Sequence, residues 1–357
     1  MVALWSRAVG WPLTTVAVCL STVGFLLHAP PGVAFVLEAV GVALLARHIG
    51  RATGSLATAH GPQIGALLSA GFGNVVELMI AVMALRAGLY DVVKASIVGS
   101  MLANLLLTLG VCMIVGGTRR PFQHFNQAKA GVNSTMLFMA VTGLAVTSVY
   151  ALRHAVTWRA EALSIGVSTV FLIVYILGLV FSMGTHRALF TQVEGESEPP
   201  RGRMSKREVL SAWVDLVLAT LLVAPQSDFL VHTVEPLAQG IGLRPDFIGL
   251  IFLPLVGAAP EFFSAIVLAR RDQMDGSMEI AVGSSLQIAL FVAPVLVLSG
   301  AMMGRQLNLL FTPIELMMMF LAAILTALVS LDGETNWFEG TLVTATYLLF
   351  AILFLFK

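Results

Sequence analysis

The chain is dominated by apolar stretches that are long enough to cross a lipid bilayer. A membrane-spanning helix needs about 20 mostly apolar residues, and eleven such windows follow one another along the sequence. Short joints that carry charges, proline or glycine separate them. The pattern predicts an all-α integral membrane protein with about 11 transmembrane helices. The windows lie near residues 12–28, 32–49, 62–86, 91–116, 129–150, 161–184, 209–232, 246–269, 277–300, 311–330 and 338–356.

The composition agrees with a membrane protein. Of the 357 residues, 58% are hydrophobic and only 11% are charged, against about 25% charged residues in an average soluble domain. So few charges cannot cover the surface of a soluble protein of this size. The formal net charge is zero, so no nucleic-acid partner is expected. Cys19 and Cys112 lie in apolar runs and predict neither a disulfide nor a cysteine metal site.

The distribution of arginine and lysine predicts the orientation in the membrane. If the N-terminus and every second loop share one side, that side collects thirteen basic residues and the other side seven. Basic residues accumulate on the cytoplasmic side. We therefore expect a cytoplasmic N-terminus and an outside C-terminus. The short termini favour a multi-pass protein of a prokaryotic plasma membrane.

An internal repeat at an offset of 184 residues organises the chain. Residues 73–100 and 257–284 coincide without a gap at eight of 28 positions. The matched pairs include Gly73 with Gly257, Glu77 with Glu261, and Ser100 with Ser284. The predicted domains are an N-terminal transmembrane helix at 1–30, a five-helix repeat at 31–184, an acidic and basic cytoplasmic linker at 185–208, and a second five-helix repeat at 209–357.

Each copy of the repeat has an odd number of spans, and this determines how the two copies are oriented in the membrane. With five spans per copy, the second copy must cross the membrane in the opposite direction. Inverted repeats of this kind are typical of secondary transporters, whose substrate site lies near the midplane of the bilayer. The repeat therefore favours a transporter over an enzyme.

Two glutamates, Glu77 and Glu261, lie inside apolar windows at matched positions of the repeat. A carboxylate is costly to bury in a membrane span, so an intramembrane acid indicates a functional site. Asn74 precedes Glu77 by three residues and shares its helical face. Gly73 and Gly257 permit a close backbone approach or local unwinding.

Further oxygen donors accompany each acid. Pro260 has no amide and leaves a carbonyl free for a ligand. Ser100 and Asn104 share one helical face, and Ser284 and Gln287 share another. Carboxylate, amide, hydroxyl and carbonyl oxygens together suit Ca²⁺. Neither glutamate has a neighbouring cysteine or histidine, which disfavours zinc and copper.

Several other acids are predicted to lie near span ends or to face polar cavities. They are Glu38, Asp215, Asp228, Glu235 and Glu315.

The two copies of the repeat also resemble a known family. The first copy reads GNVVELMIAVMALRAG and then GSMLANLLLTLG, and the second reads GAAPEFFSAIVLARRDQMDGSMEIAVGSSLQIALFVAP. These segments resemble the two α-repeats of the cation/Ca²⁺ exchanger superfamily, and specifically its cation/proton exchanger branch. The resemblance covers almost the whole chain. It implies that spans 2–6 and 7–11 form the inverted halves.

The resemblance implies that Glu77 and Glu261 are shared ligands for Ca²⁺ and protons. The second motif departs from the family pattern, because Ala258 replaces an asparagine and Phe262 replaces a histidine. Ala258 still offers its backbone carbonyl, so the changes bear on ion selectivity and affinity more than on transport. The predicted ion ligands are Glu77, Glu261, Gly73, Asn74, Ser100, Asn104, Gly257, Ala258, Ser284 and Gln287.

The sequence thus predicts a Ca²⁺/H⁺ antiporter that exports cytosolic Ca²⁺ by alternating access. The expected substrates are Ca²⁺ and protons, with no cofactor, and a homo-oligomer remains possible. The alternatives are a Na⁺-coupled Ca²⁺ exchanger, another divalent cation/proton antiporter, an intramembrane carboxylate hydrolase and a cation channel. The position that carries an acid in sodium-coupled exchangers is Asn104 here and Ile288 in the second copy. Their lack of a carboxylate argues against Na⁺ coupling.

Overall fold

Helices make up nearly all of the computed structural model, which describes residues 10–153, 158–186 and 204–356. Residues 1–9 of the predicted first domain and 187–203 of the predicted linker lie outside these ranges. The helices are α1 (Trp11–Leu26), α2 (Pro31–His60), α3 (Pro62–Phe72), α4 (Val75–Arg86), α5 (Tyr90–Leu102), α6 (Leu109–Gly117), α7 (Gln127–Arg153), α8 (Trp158–Val180), α9 (Lys206–Ile241), α10 (Pro245–Gly257), α11 (Ala259–Arg270), α12 (Met274–Gln287), α13 (Ala293–Met302), α14 (Pro313–Val329) and α15 (Trp337–Leu355). Three π-helical segments are π1 (Ala103–Thr108), π2 (Phe181–Thr185) and π3 (Ile288–Val292), and two short strands are β1 (Gln123–His124) and β2 (Glu334–Thr335).

Each of the eleven predicted apolar windows contains a helix. Within the described ranges, eight helical stretches, some of which join neighbouring helices such as α5 and α6, are long and apolar enough to cross a membrane. The interrupted pair α10 and α11 makes a ninth if it is one span. The shorter apolar helices α1 and α14 occupy the two remaining windows. The all-α membrane fold is confirmed, and the number of eleven spans stays a prediction.

Proline, glycine and capping side chains set the ends of several helices. Proline begins both α2 and α3, where its missing amide has no intrahelical partner to lose. Gly61 separates these helices with a φ of 88°, a conformation that glycine adopts readily. Reciprocal capping boxes begin α9, α14 and α15.

The chain forms two compact units. The first contains the described residues of Met1–Val93 and Glu198–Pro260, and the second contains those of Lys94–Ser197 and Glu261–Lys357. In the first unit, α2 packs against α1, α3, α9 and α10. In the second, α12 packs against α6 and α7, and β1 pairs with β2 in an antiparallel register. Each unit includes parts of both predicted repeats, so the predicted domain boundaries stay a prediction.

The helix boundaries repeat at the offset seen in the sequence. Adding 184 to the bounds of α4 gives the bounds of α11. The same shift carries the first residues of α5 and α6 onto those of α12 and α13. A π-helical segment precedes both α6 and α13. The internal repeat is therefore a feature of the backbone as well as of the sequence.

Matched helices run antiparallel in the first unit. The helices α2 and α9 occupy the matched second and seventh windows. Glu38 on α2 contacts Thr233 on α9, and Gly41, further along α2, lies against Gln226, which is earlier on α9. As the residue number on α2 rises, the number of the residue that it contacts on α9 falls. The two helices therefore run antiparallel.

The second unit contains an equivalent antiparallel pair. The side chain of Gln127, at the start of α7, donates to the carbonyl of Leu331 just after α14. Thr147, near the end of α7, donates to the carbonyl of Leu309 before α14 at 2.5 Å. The helices α7 and α14 occupy the matched fifth and tenth windows. Antiparallel matched helices in both units are what an inverted repeat requires.

Candidate functional site

The helix in the third apolar window is interrupted beside Glu77. Helix α3 ends at Phe72, and α4 begins at Val75 after Gly73 and Asn74. Asn74 is the residue before the first turn of α4, with φ −110° and ψ 27°, and only 5% of it is exposed. Glu77 is the third residue of α4. The acid therefore lies in the first turn of a half-helix.

The carboxyl group of Glu77 is buried without a hydrogen-bond partner in the described part of the chain. Only 8% of the residue is exposed. The backbone of Gly257 lies against it, because a Cβ at that position would be 3.0 Å from Glu77 Cγ and 3.3 Å from Cδ. Any larger residue at this position would force the Glu77 side chain to shift. A buried, unpartnered carboxylate is the kind of group that a cation or a proton satisfies.

The eighth apolar window is interrupted at the matched position. Helix α10 ends at Gly257, and Ala258 has φ −84° and ψ 8° before α11 begins. Ala258 is buried, and its amide donates to the carbonyl of Pro254 at 2.9 Å. Pro254 and Pro260 have no amide, so the carbonyls four residues before them, at 250 and 256, lack the usual helical donor.

Glu261 is the third residue of α11, as Glu77 is of α4. It is of intermediate burial. The first turn of a helix has unsatisfied amides and the positive end of the helix dipole, which stabilise a nearby negative charge. Both glutamates therefore lie where the backbone lowers the cost of an ionised carboxylate.

The other polar ligands predicted in the first copy of the repeat lie near the end of α5 and in π1. Ser100 is buried on α5, and Asn104 lies in π1 with 1% of its surface exposed. Both atoms of the Asn104 amide are buried and lack a hydrogen-bond partner among the residues described. π-helical segments are rare and occur frequently at functional sites. Asn104 is thus a strong oxygen donor candidate.

The matched residues of the second copy lie at the end of α12. Ser284 and Gln287 are of intermediate burial, and π3 begins immediately after Gln287. The neighbouring Ser285 hydroxyl lies 3.4 Å from the carbonyl of Met101 on α5. Met101 and Ser285 are themselves 184 residues apart. The two serine-containing segments therefore approach each other through matched positions.

The predicted ligands divide between the units. The first unit contains Gly73, Asn74, Glu77, Gly257 and Ala258, and it places the Glu77 carboxyl group against Gly257. The second unit contains Ser100, Asn104, Glu261, Ser284 and Gln287. In the residues that the structure describes, no group of three or more His, Cys, Asp and Glu side chains could hold a metal ion. The role of each predicted ligand stays a prediction.

Two features were not predicted from the sequence. The π segments arise from a shift in helical hydrogen bonding, which hydropathy does not reveal. Glu38, predicted to lie near a span end or to face a polar cavity, is instead fully buried on α2 and contacts Thr233. The apolar residues on both sides of Glu38 in the sequence were the available signal.

The comparison with known proteins identifies the family. The sodium/calcium exchanger protein family matches residues 31–184 and 211–356. The chain belongs to this family. The exchanger resembles the Ca²⁺/H⁺ antiporter ChaA of Bacillus subtilis, with 41% identity over 347 residues that cover 95% of this chain and 97% of the relative.

Solved structures confirm the exchanger fold. The native YfkE structure matches with a TM-score of 0.83 and 38% identity, covering 97% of this chain and 99% of that one. A crystal structure of the H⁺/Ca²⁺ exchanger CAX matches with a TM-score of 0.76 and 14% identity, covering 96% and 90%. These comparisons confirm the predicted family and the transporter class.

Proposed function

We propose that this chain is a secondary active transporter that exchanges cytosolic Ca²⁺ for protons. The observation that carries the proposal is the recurrence of a glutamate in the first turn after an interrupted helix, at matched positions of an inverted repeat. The name of the Bacillus subtilis relative, a Ca²⁺/H⁺ antiporter, supports the choice of ions.

Glu77 and Glu261 are the proposed shared ligands of Ca²⁺ and protons. The burial of Glu77 without a hydrogen-bond partner in the described part of the chain supports this role. Amide, hydroxyl and carbonyl oxygens complete a set that suits Ca²⁺, which takes six to eight oxygens. The proposed supporting ligands are Gly73, Asn74, Ser100, Asn104, Gly257, Ala258, Ser284 and Gln287.

The coupling follows from the two ways of neutralising a pair of buried carboxylates. One Ca²⁺ balances both negative charges, and so do two protons. The two occupants exclude each other because they use the same oxygens. An empty pair keeps two uncompensated charges in the apolar interior, which is costly. The loaded forms therefore change access more readily than the empty form, and that difference enforces exchange.

The proposed location is a prokaryotic plasma membrane, with the N-terminus in the cytoplasm and the C-terminus outside. The excess of basic residues in alternate loops supports this orientation. In that arrangement the inward proton gradient drives Ca²⁺ out of the cell. The association of identical copies in the bilayer is compatible with the proposal and is not needed for it.

The decisive experiment is a flux assay with exchanged gradients. Purified protein is reconstituted into liposomes, and Ca²⁺ uptake is measured with either a proton gradient or a Na⁺ gradient at clamped pH. We expect the proton gradient alone to drive uptake. Uptake driven by Na⁺ at clamped pH would identify a sodium-coupled exchanger, and flux that ignores both gradients would identify a channel. Several divalent cations are compared in the same assay.

Glutamine variants test the ligands in that assay. We expect Glu77→Gln and Glu261→Gln each to abolish exchange, because one negative charge no longer balances Ca²⁺. The matched control is Glu315→Gln, which also changes a buried glutamate in the first turn of a helix. Glu315 belongs to a capping box with Thr312, so this variant should transport normally. Substantial exchange by either site variant would refute the shared ligand pair.

A further inference from the structure

A third carboxylate is buried away from both helix interruptions. Glu38 lies on α2 and has none of its surface exposed. Its Oε2 lies 3.0 Å from the Thr233 hydroxyl on α9, and its Oε1 has no hydrogen-bond partner among the residues described. No lysine or arginine in the described ranges forms an ion pair with it. A carboxylate in this setting carries a large desolvation cost unless it is neutral.

The contacts of Thr233 indicate which protonation state the geometry fits. Its hydroxyl lies 3.0 Å from Glu38 Oε2 and 2.7 Å from the carbonyl oxygen of Leu230. A hydroxyl has a single proton to donate, and both neighbours are acceptors when Glu38 is ionised. With an ionised Glu38, Thr233 must share its one proton between the two acceptors, whereas a protonated Glu38 can donate to Thr233 while Thr233 donates to Leu230. The arrangement therefore fits a protonated Glu38.

A partly exposed imidazole lies next in the chain to the hydrogen-bond partner of this buried acid. His232, the residue before Thr233, interacts electrostatically with Glu38. Its side chain is 52% exposed and lies 3.8 Å from the Asp228 carboxylate. The Nδ1 atom lies 2.7 Å from the carbonyl oxygen of Asp228. A proton on Nδ1 satisfies that contact and leaves Nε2 as the acceptor that can take up and release a further proton.

The other helices packed on α2 bring few titratable groups. Helix α3 has no acidic or basic side chain, and the titratable residue of α1 is Cys19, which is exposed. Helix α10 carries Asp246, which pairs with Arg244 at 2.9 Å. Helix α9 also carries Asp215 and Glu235, and α2 itself carries Arg47, His48, Arg51 and His60. Among the titratable groups of these helices, His232 is the one that interacts electrostatically with Glu38.

We propose that Glu38 is a third proton-binding site of this transporter, loaded from one side of the membrane and emptied to the other in each exchange cycle. This inference rests on the proposed Ca²⁺/H⁺ exchange. Two protons on Glu77 and Glu261 balance one Ca²⁺, so a third proton on Glu38 moves one net positive charge per cycle. The step only breaks and forms O–H and N–H bonds as the proton passes between Glu38, His232 and water.

Measurement of the membrane-potential dependence tests the third site. Wild type and Glu38→Gln are reconstituted, and the equilibrium Ca²⁺ ratio is measured at a fixed pH gradient while a potassium diffusion potential is varied. With one net charge per cycle, 100 mV changes the ratio about 50-fold. We expect this response in the wild type. We expect Glu38→Gln to keep proton-driven exchange without the response, since its amide replaces the neutral carboxyl group.

The control variant is Glu315→Gln, which should keep the response of the wild type. An electroneutral wild type, or a Glu38→Gln variant with an unchanged response, would overturn the third site. An absence of any proton-driven Ca²⁺ flux in the wild type would instead contradict the proposed function.

Infrared spectroscopy provides a second test that does not require transport by the variant. We expect saturation with Ca²⁺ to remove from the wild type the bands of protonated Glu77 and Glu261 and, in addition, one further protonated-carboxyl band. That band should be absent from Glu38→Gln and shifted in Thr233→Val, which removes the hydroxyl partner. A wild-type difference spectrum that Glu38→Gln leaves unchanged would overturn the assignment.

Discussion

Gly257 shows how a single hydrogen atom in place of a side chain shapes the proposed ion site. Its backbone approaches the Glu77 carboxyl group so closely that a Cβ would lie 3.0 Å from Cγ and 3.3 Å from Cδ. The Glu77 carboxyl group has no hydrogen-bond partner in the described part of the chain. No hydrogen bond would therefore keep it in place if residue 257 had a side chain. A methyl group at residue 257 would therefore press on the Glu77 side chain.

We predict that Gly257→Ala weakens Ca²⁺ binding because the new methyl group displaces the carboxylate of Glu77. Overpacking costs about 1–3 kcal/mol, which corresponds to about 5- to 150-fold in affinity. The Ca²⁺ concentration for half-maximal exchange in liposomes measures the effect. The control is Gly54→Ala on α2, where no atom lies within 4 Å of the added Cβ. An unchanged half-maximal concentration in Gly257→Ala would show that Glu77 is held by other contacts.

For single residues, the sequence was enough to single out two of the acidic residues but not to predict the contacts of the buried acids. Glu77 and Glu261 were found because charges are scarce in this chain and both occur at matched positions. Glu38 has no acid at its matched position, Leu222, so the repeat did not single it out. Its contact with Thr233 depends on the pairing of two helices almost 200 residues apart in the chain, which no local pattern reveals.

Among the structural elements, the interrupted helices distinguish this fold from a simple bundle. The windows 62–86 and 246–269 were predicted as single spans, and the structure divides each of them near its centre. Glycine and proline lower the cost of the interruption, and the broken turn places a helix start inside the apolar layer. Discontinuous helices of this type form the substrate sites of many transporters.

Several helices extend beyond their predicted windows for an identifiable reason. The second window was predicted near 32–49, which ends just before the charged Arg51. Helix α2 instead continues to His60. His48 is buried there, bonds to Thr14 at 2.9 Å and stacks on Trp11. A polar residue ends an apolar window without ending the helix, since the backbone hydrogen bonds continue wherever packing supplies polar partners.

The contact between α6 and α15 in the second unit provides a test of packing. Gly340 on α15 lies so close to α6 that a Cβ would be 2.6 Å from the Gly110 carbonyl oxygen and 2.8 Å from the Ile114 amide nitrogen. We predict that Gly340→Ala destabilises the protein by about 1–3 kcal/mol, since backbone atoms cannot move aside. The melting temperature of the purified protein in detergent should fall.

The matched control for this helix contact is Gly131→Ala on α7. No atom lies within 4 Å of the added Cβ there, and alanine in a helix is favoured over glycine by about 0.5–1 kcal/mol. Its melting temperature should stay the same or rise. An equal melting temperature for Gly340→Ala and the wild type would mean that α6 and α15 can move apart without a loss of stability.

For the whole molecule, the pairing of β1 with β2 constrains the number of membrane crossings. Gln123 pairs with Thr335 and His124 with Glu334, so the loops before α7 and after α14 lie on the same side of the membrane. An even number of spans must therefore separate them. The six windows from the fifth to the tenth satisfy this condition when the interrupted pair α10 and α11 counts as one span and the short helix α14 as another. The pairing thus agrees with the six spans that the predicted total of eleven places between these loops.

The same count predicts which loops face the cytoplasm, and a pair of cysteine variants tests it. Arg119 lies exposed between α6 and β1, and Arg305 lies exposed between α13 and α14. With a cytoplasmic N-terminus, four spans precede Arg119 and nine precede Arg305. The first residue is then cytoplasmic and the second is outside. The two variants match each other, since each replaces an exposed loop arginine.

We predict that a membrane-impermeant maleimide added to intact cells labels Arg305→Cys and not Arg119→Cys. Permeabilised cells should label both. The background carries Cys19→Ser, because Cys19 is exposed, and retains the buried Cys112. The opposite labelling pattern would invert the proposed orientation, and with it the direction in which the proton gradient moves Ca²⁺. Labelling of both variants in intact cells would mean that the number of spans between these two loops is even.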